Sequence, residues 1–592
     1  MNTYQVADDV DLIRGKHHLG LGVDYIYTQN NLLSGYLQNG NFAFSGVATG
    51  DSMLDFLTGT MSGFSQSLPQ QPTPRMHIPA LYVQDTIHAT SHLTINAGLR
   101  WEPMLWPTDH WHRGSTFSLA NFLAGVHSKV FPNAPAGSLF YGDPGVNASF
   151  TADHKLNVFS PRFGLAWDPN GDGRQTFRVG GALMYDSGML YTAQRLASNP
   201  PFVNEIDLNT SAVGGFSDPW NTGYHYPGGN PFPPTTGYFP QSALYVVLPP
   251  NLKPTSIAQW NASYQRQFGS SLLATVSYMG NKTSHIWLGQ ETNPAIYSPA
   301  VCAQTKGGCT TSTTNQRRLL NVLNPSQGQY YGGVDFLYDG GNANYNALLL
   351  SLQQRLSHGV TFLANYTWSH CISEGDFTRD IAGPTFLNPN NLAMDRGDCN
   401  FDIRHIFNAS IVATSPVKGS SIWAHLLGNW QLAPLVRALS GEPLTVTTGS
   451  DTSLTGMNSG DSPERPNYVG GVDPYVSSWG PKLQYLNPAA FVNNTPGTYG
   501  NLGRSVLRGP GQLQFDLALS RIFAIHEAFR LEVRAEAFNV INHTNFIAPA
   551  TGTGIPGIST GGLSLSRSSS NFGQITTAGD PRILQFAMKL YF

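Results

Sequence analysis

Along much of this chain apolar and polar residues alternate with a period of two. That is the spacing of a β-strand, whose successive side chains point to opposite sides of the pleat. Counting back from the C-terminus, Phe592, Leu590, Met588, Phe586 and Leu584 fall on one face, with Tyr591, Lys589, Ala587, Gln585 and Ile583 on the other. In Phe529-Arg530-Leu531-Glu532-Val533-Arg534-Ala535-Glu536-Ala537 every second residue is Arg or Glu and the intervening ones are apolar. A helix would scatter those charges around its circumference, and a sheet covered on both faces would bury them at high cost. A sheet with water on one side and an apolar medium on the other accommodates them, with Arg530, Glu532, Arg534 and Glu536 lining the wet side. Asp516, on the preceding segment, is a candidate partner for that row.

The predicted strands come in pairs joined by short turns and separated by long loops. The pairs are residues 3–13 with 17–28, 81–88 with 92–101, 159–167 with 176–185, and 259–267 with 272–279. Next come 345–355 with 360–369, 402–414 with 430–439, and 514–523 with 529–540, before the single closing strand. This predicts an all-β fold, an antiparallel transmembrane β-barrel of about 15 strands with short periplasmic turns and long extracellular loops. The long loops, about 187–255, 280–343 and 441–511, are the predicted ligand-gathering surface.

Composition narrows the picture. Only 12% of the 592 residues are charged, against roughly 25% in a typical soluble protein. Aromatics reach 11%, with 62 Gly and 40 Pro, as many strands joined by turn-rich loops would give. A net charge of −3 offers nothing to nucleic acid. No apolar run is long enough for a membrane-spanning helix, so membrane residence must be by strands. The start, Met1-Asn2-Thr3-Tyr4-Gln5-Val6-Ala7-Asp8-Asp9, lacks the basic segment and apolar core of an export signal. The expectation is therefore that the true N-terminus lies upstream. Cys302 and Cys309 flank a short loop, and Cys371 and Cys399 a longer one; each pair is a candidate disulfide in an oxidising compartment. Zinc is the rival reading, but there is no Cys-x-x-Cys pair.

Motifs that suggest enzymes fail on their surroundings. Gly557-Ile558-Ser559-Thr560-Gly561 has the spacing of a nucleophile elbow, and Gly552-Thr553-Gly554-Ile555-Pro556-Gly557 that of a dinucleotide loop. Neither is followed by a predicted helix, which both chemistries require. Asp168-Pro169-Asn170-Gly171-Asp172-Gly173 begins like a calcium loop, but its twelfth position is Val179 rather than a bidentate Glu. His526-Glu527 opens like a zinc-protease helix, yet the second His is replaced by Arg530. No enzyme, cofactor or metal is expected.

Several longer segments carry a family resemblance. They include Leu81-Tyr82-Val83-Gln84-Asp85, Asn96-Ala97-Gly98-Leu99-Arg100-Trp101-Glu102, and Ser160-Pro161-Arg162-Phe163-Gly164-Leu165-Ala166-Trp167. Others are Asp395-Arg396-Gly397 followed by Phe401-Asp402-Ile403-Arg404-His405, and Ala537-Phe538-Asn539-Val540-Ile541-Asn542-His543. Together these resemble the C-terminal barrel of Oar-like TonB-dependent receptors of the bacterial outer membrane. The resemblance implies a barrel of about 22 strands, plugged by an N-terminal domain, that binds and imports a large extracellular ligand. On that reading residues 1–592 form a partial barrel, lacking the plug, the N-terminal domain and the first strands, and are not expected to transport alone. TonB would be reached only through the absent N-terminal region. Phe592, Leu590, Met588 and Phe586 resemble the terminal signal read by the barrel-assembly machinery. The implied partners are outer-membrane lipid, that machinery, and an oligosaccharide or peptide ligand. The competing readings are a structural or adhesive surface barrel without transport, and a soluble all-β carbohydrate-binding protein.

Overall fold

The structure is a computed structural model that describes all residues except 47, 188–189, 204, 210–212, 221–236, 376–384, 418, 420, 458–462, 526–528 and 547–561. Its frame is an up-and-down run of strands. The first eight are β1 (Asn2–Arg14), β2 (His17–Gln29), β3 (Pro74–Thr90), β4 (Leu93–Trp101), β5 (Phe159–Trp167), β6 (Gln175–Tyr185), β7 (Ser256–Phe268) and β8 (Leu272–Glu291). The remainder are β9 (Tyr331–Ser357), β10 (Val360–Ser373), β11 (His405–Thr414), β12 (Trp430–Leu439), β13 (Gln512–Ala524), β14 (Arg530–Phe538) and β15 (Ile583–Tyr591). Each pairs antiparallel with its neighbours in this series. Short strands from the loops join the same sheet and bring it to 21 among the described residues. Even the shortest members of the series, such as β4 and β14 with 9 residues, are long enough for a tilted strand to cross hydrocarbon.

Among the described residues, most of the apolar face of this sheet is left uncovered by protein. Phe586, Met588 and Leu590 are 78, 76 and 51% exposed, and Leu21, Val23, Leu81, Val83 and Phe163 are exposed with them. A soluble protein does not leave an apolar surface of that extent in water. The buried cores lie instead in the loops at one end. One gathers Trp106, Phe150, Leu196, Leu248, Trp287 and Leu337. Another gathers Val446, Leu486, Phe491, Leu507, Phe572 and Ile575. The soluble carbohydrate-binding reading is thereby set aside: the wall is built to face lipid and the caps to face water.

Two features differ from the expected pattern, and a third bears on closure. β8 and β9 run for 20 and 27 residues, far past the alternating stretches. Beyond the bilayer a strand needs backbone pairing but no apolar side, so the pairing continues there, through irregularities at Ser284/Ile286 and Ile286/Leu288, where alternation has ceased. β11 starts at His405 rather than at 402, because Asp402 is drawn into an ion network described below. Finally, among the described residues β1 pairs only with β2 and β15 only with β14. An odd series brings its first and last strands to the seam running the same way, whereas antiparallel closure needs an even number. Among the described residues the sheet is open at that seam, and every residue of β1 is exposed.

Candidate functional site

The polar face is best organised across the first seven strands. Strand register sets Asp9, Gly22, Tyr82, Arg100 and Ser160 side by side in one row. The next row holds Asp11, Gly20, Gln84, Gly98, Arg162, Ala182 and Gln259. Glycine alternates with long side chains for a steric reason. A methyl group at Gly22 would overlap Tyr82 and Asp9, and one at Gly98 would come 2.7 Å from Nε of Arg162. The missing side chains let the long ones lie flat along the wall. Tyr82 thus reaches across β2 to donate its hydroxyl to Asp9 at 2.7 Å, and Arg162 reaches across Gly98 to Gln84. Arg100 donates Nε to Glu102 at 2.6 Å and stands 3.7 Å from Asp24.

Above these rows opens a cavity of about 700 Å³. Tyr82, Gln84, Arg100, Glu102, Arg162 and Gln259 supply its polar lining, and Met76, Met104, Val158 and Met184 an apolar one. Two guanidinium groups beside methionine and valine side chains suit a ligand with acceptor oxygens on an apolar body. Among the described residues no group of three His, Cys, Asp or Glu side chains is placed to hold a metal ion.

The charged row of β14 is tied together within itself. Arg534 lies 3.5 Å from Glu532 and 3.3 Å from Glu536, and Tyr591 donates its hydroxyl to Glu532 at 2.6 Å. The guanidinium of Arg530 lies over the Tyr591 ring. Asp516 is not a partner of that row: it accepts from Gln514 Nε2 at 2.6 Å and from the Asn539 N–H at 2.8 Å. Asp168 caps the hairpin turn between β5 and β6, accepting the N–H groups of Gly171 and Gly173. Residues 526–528 and 552–561, which hold the tempting His-Glu and glycine motifs, lie outside the described residues except for the flanking sequence.

A second constellation, which the sequence alone did not expose, clamps loop 441–511 to the ends of β10 and β11. Asp395 accepts from Arg465 at 2.7 Å, both side chains being 2% exposed. The other Asp395 oxygen accepts the Leu387 N–H, and its carbonyl accepts Nε of Arg504. Arg465 also donates to the carbonyls of Leu502 and Met394. Asp402 accepts from the Cys371 N–H at 2.7 Å and from Arg508 at 2.6 Å. Asp398 joins Arg508, Arg404 and His370. Cys371 is bonded to Cys399 beneath this network, and Cys302 to Cys309 in a separate loop. A side chain at Gly397, in a short strand paired with Ser373, would run into the Arg504 carbonyl, so that position has to be glycine. Nearby, Glu464 is fully buried and accepts the Ser453 N–H; burial raises its acid to about 7. Isolated Asp and Arg in a charge-poor chain were the available signal, but nothing in their spacing reveals which pairs meet.

No curated protein matches the chain. Among solved structures, the outer membrane transporter YddB from Escherichia coli is 10% identical, with a TM-score of 0.47 over 100% of this chain and 53% of its own. A ferric enterobactin receptor, PfeA of Pseudomonas aeruginosa, is 13% identical, with a TM-score of 0.44 over 99% and 53%. The siderophore receptor PirA from Acinetobacter baumannii is 8% identical, with a TM-score of 0.42 over 100% and 54%. The chain spans about half the length of each of these solved chains. A family model described as an outer membrane beta barrel domain matches residues 1–585, so the chain, with its lipid-facing strands, belongs to that family of the bacterial outer membrane.

Proposed function

We propose that residues 1–592 supply the barrel wall and outer loops of a TonB-dependent receptor that binds a large extracellular ligand for import. The observation that carries this reading is the amphipathic cavity on the polar face, where Arg100 and Arg162 sit beside Met76, Met104 and Met184. A purely structural wall has no need of a cavity of that size lined in two chemistries. In this reading the polar face, including Arg530, Glu532, Arg534 and Glu536, lines a water-filled lumen. Phe592, Leu590, Met588 and Phe586 form the terminal signal presented to the assembly machinery. The clamp around Asp395 and Asp402 gives the ligand-gathering loops a fixed shape. The protein binds and conducts without catalysing a reaction.

The test is binding by the purified full chain, followed by tryptophan fluorescence, against ferric enterobactin, maltoheptaose and a mixed tryptic peptide pool. Saturable binding of one of these, lost in Arg100→Ala and Arg162→Ala, supports the proposal. Binding that survives both substitutions moves the site elsewhere. No binding by any probe favours a structural or adhesive surface barrel.

A further inference from the structure

Residues 415–429 join β11 to β12 at the end of the sheet where the other connections are short turns, such as Gly15-Lys16 and His358-Gly359. Here the chain builds a helix, Ile422–Leu427. It holds Ile422, Trp423, Leu426 and Leu427 at 71, 66, 55 and 53% exposure. Their spacing puts all four on one side of the helix. Four large apolar side chains displayed together on a turn mark a surface that meets something other than water.

The helix is held against the outside of the wall. The Leu426 carbonyl accepts from the Trp430 indole N–H and from Nη1 of Arg521, each at 2.9 Å. The Leu427 carbonyl accepts the Ser415 hydroxyl at 2.6 Å. Trp430 and Arg521 are paired in register, and the same row continues through Val533 to Met588 on the apolar face of the sheet. The helix is thus moored to the rim of the lipid-facing band. Exposed Phe523, Ile525 and Phe529 continue the patch at the neighbouring turn. Arg521 lies over the Phe523 ring at 4.5 Å and the Trp430 ring at 5.6 Å. Arginine among aromatics on the lipid side of a strand end marks headgroup depth, where its stem lies in hydrocarbon and its charge reaches the polar layer.

We propose that the helix Ile422–Leu427 is an interfacial anchor. It lies in the periplasmic leaflet with Ile422, Trp423, Leu426 and Leu427 inserted at the boundary of headgroup and acyl chain. The occupant of this face is phospholipid, because the patch runs without a break into the band already facing lipid. The proposal rests on the outer-membrane residence of the sheet and is independent of any ligand or transport.

All four cysteines are in disulfides, so an introduced one provides the single free thiol. Nitroxide labels at Trp423→Cys and Leu427→Cys, in the full chain reconstituted into phosphatidylethanolamine–phosphatidylglycerol vesicles, are compared for collision with oxygen and with a water-soluble nickel chelate. Leu519→Cys on the apolar face serves as the lipid reference and Ser270→Cys in a short turn as the water reference. We expect oxygen to dominate at 423 and 427 as it does at 519. Nickel access equal to that at 270 overturns the proposal, and so does exclusion of both reagents, which would mean that protein covers the helix. Should labelling disturb folding, the wild-type chain and Trp423→Phe are compared in vesicles of brominated lipid. Greater quenching of the wild type is expected, and equal quenching of the tryptophan left in each also overturns it. If residence of the sheet itself fails, the 519 reference loses its oxygen preference too.

Discussion

Replacing Arg465 by methionine keeps much of the side chain's length but strands the Asp395 carboxylate in a buried site. Breaking a buried pair by removing one partner costs roughly 3–5 kcal/mol, since the remaining charge keeps its desolvation penalty and loses its counter-ion. Asp395 retains the Leu387 N–H as a donor, which points to the lower part of that range. The pair joins residues far apart in the chain, the short helix Leu392–Asp395 and loop 441–511, so the loss is expected in loop stability rather than in the wall. Hydrogen exchange followed by mass spectrometry resolves the two. With each ~1.4 kcal/mol equal to tenfold, amides in loop 441–511 that exchange through local opening should exchange roughly a hundredfold faster or more. Those of β13 to β15 should be unchanged. The double variant Arg465→Met with Asp395→Leu should recover most of the protection, because removing both charges removes the penalty. Acceleration of less than about tenfold in the single variant, or equal acceleration in β13 to β15, would refute the clamp.

Other outcomes follow from the same geometry. Because burial raises Glu464 to about 7, the folded loop holds a proton that the unfolded chain releases near 4.5. Its stabilisation is therefore complete below about 4.5 and declines as pH rises through about 7. The loss approaches ~3 kcal/mol at alkaline pH, and Glu464→Gln should flatten that dependence of loop exchange. Opening the Cys371–Cys399 bond, which spans 28 residues, should cost about 3.6 kcal/mol by the chain-entropy estimate, and Cys302–Cys309, which spans 7, about 2.4. Cysteine-to-serine pairs compared by protease resistance of the loops would reverse that order only if the clamp alone held loop 441–511. Arginine at Leu519, near the middle of β13 on its apolar face, should destabilise the folded protein in vesicles by about 2–4 kcal/mol. At the adjoining Ser520, on the polar face, it should cost much less, as read from urea midpoints; equal costs would put both faces in the same solvent.

The wall was legible because lipid and water impose a two-residue alternation, so β5 and β12 stand at their expected limits. The long outer halves of β8 and β9 were not, since their pairing depends on the partner backbone and leaves no mark in side-chain polarity. Gly20, Gly22 and Gly98 show the middle case. Their presence in strands was visible, but their purpose, a footing for Gln84, Tyr82 and Arg162, is a relation between strands that no single strand carries. The clamp lay furthest from reach. Asp395 and Arg465 are separated by 70 positions, and a lone Asp in a loop reads the same whether it is solvated or buried against an arginine.

The loop cores around Trp106 and Phe491 carry a consequence for handling the molecule. Their cohesion comes from exclusion of water, whereas the wall's comes from its surroundings, so a change of amphiphile strains one half and leaves the other alone. Heating in successively harsher surfactants should then release the strands first, with the outer crowns melting as a later, separate event whose midpoint ignores the choice of micelle.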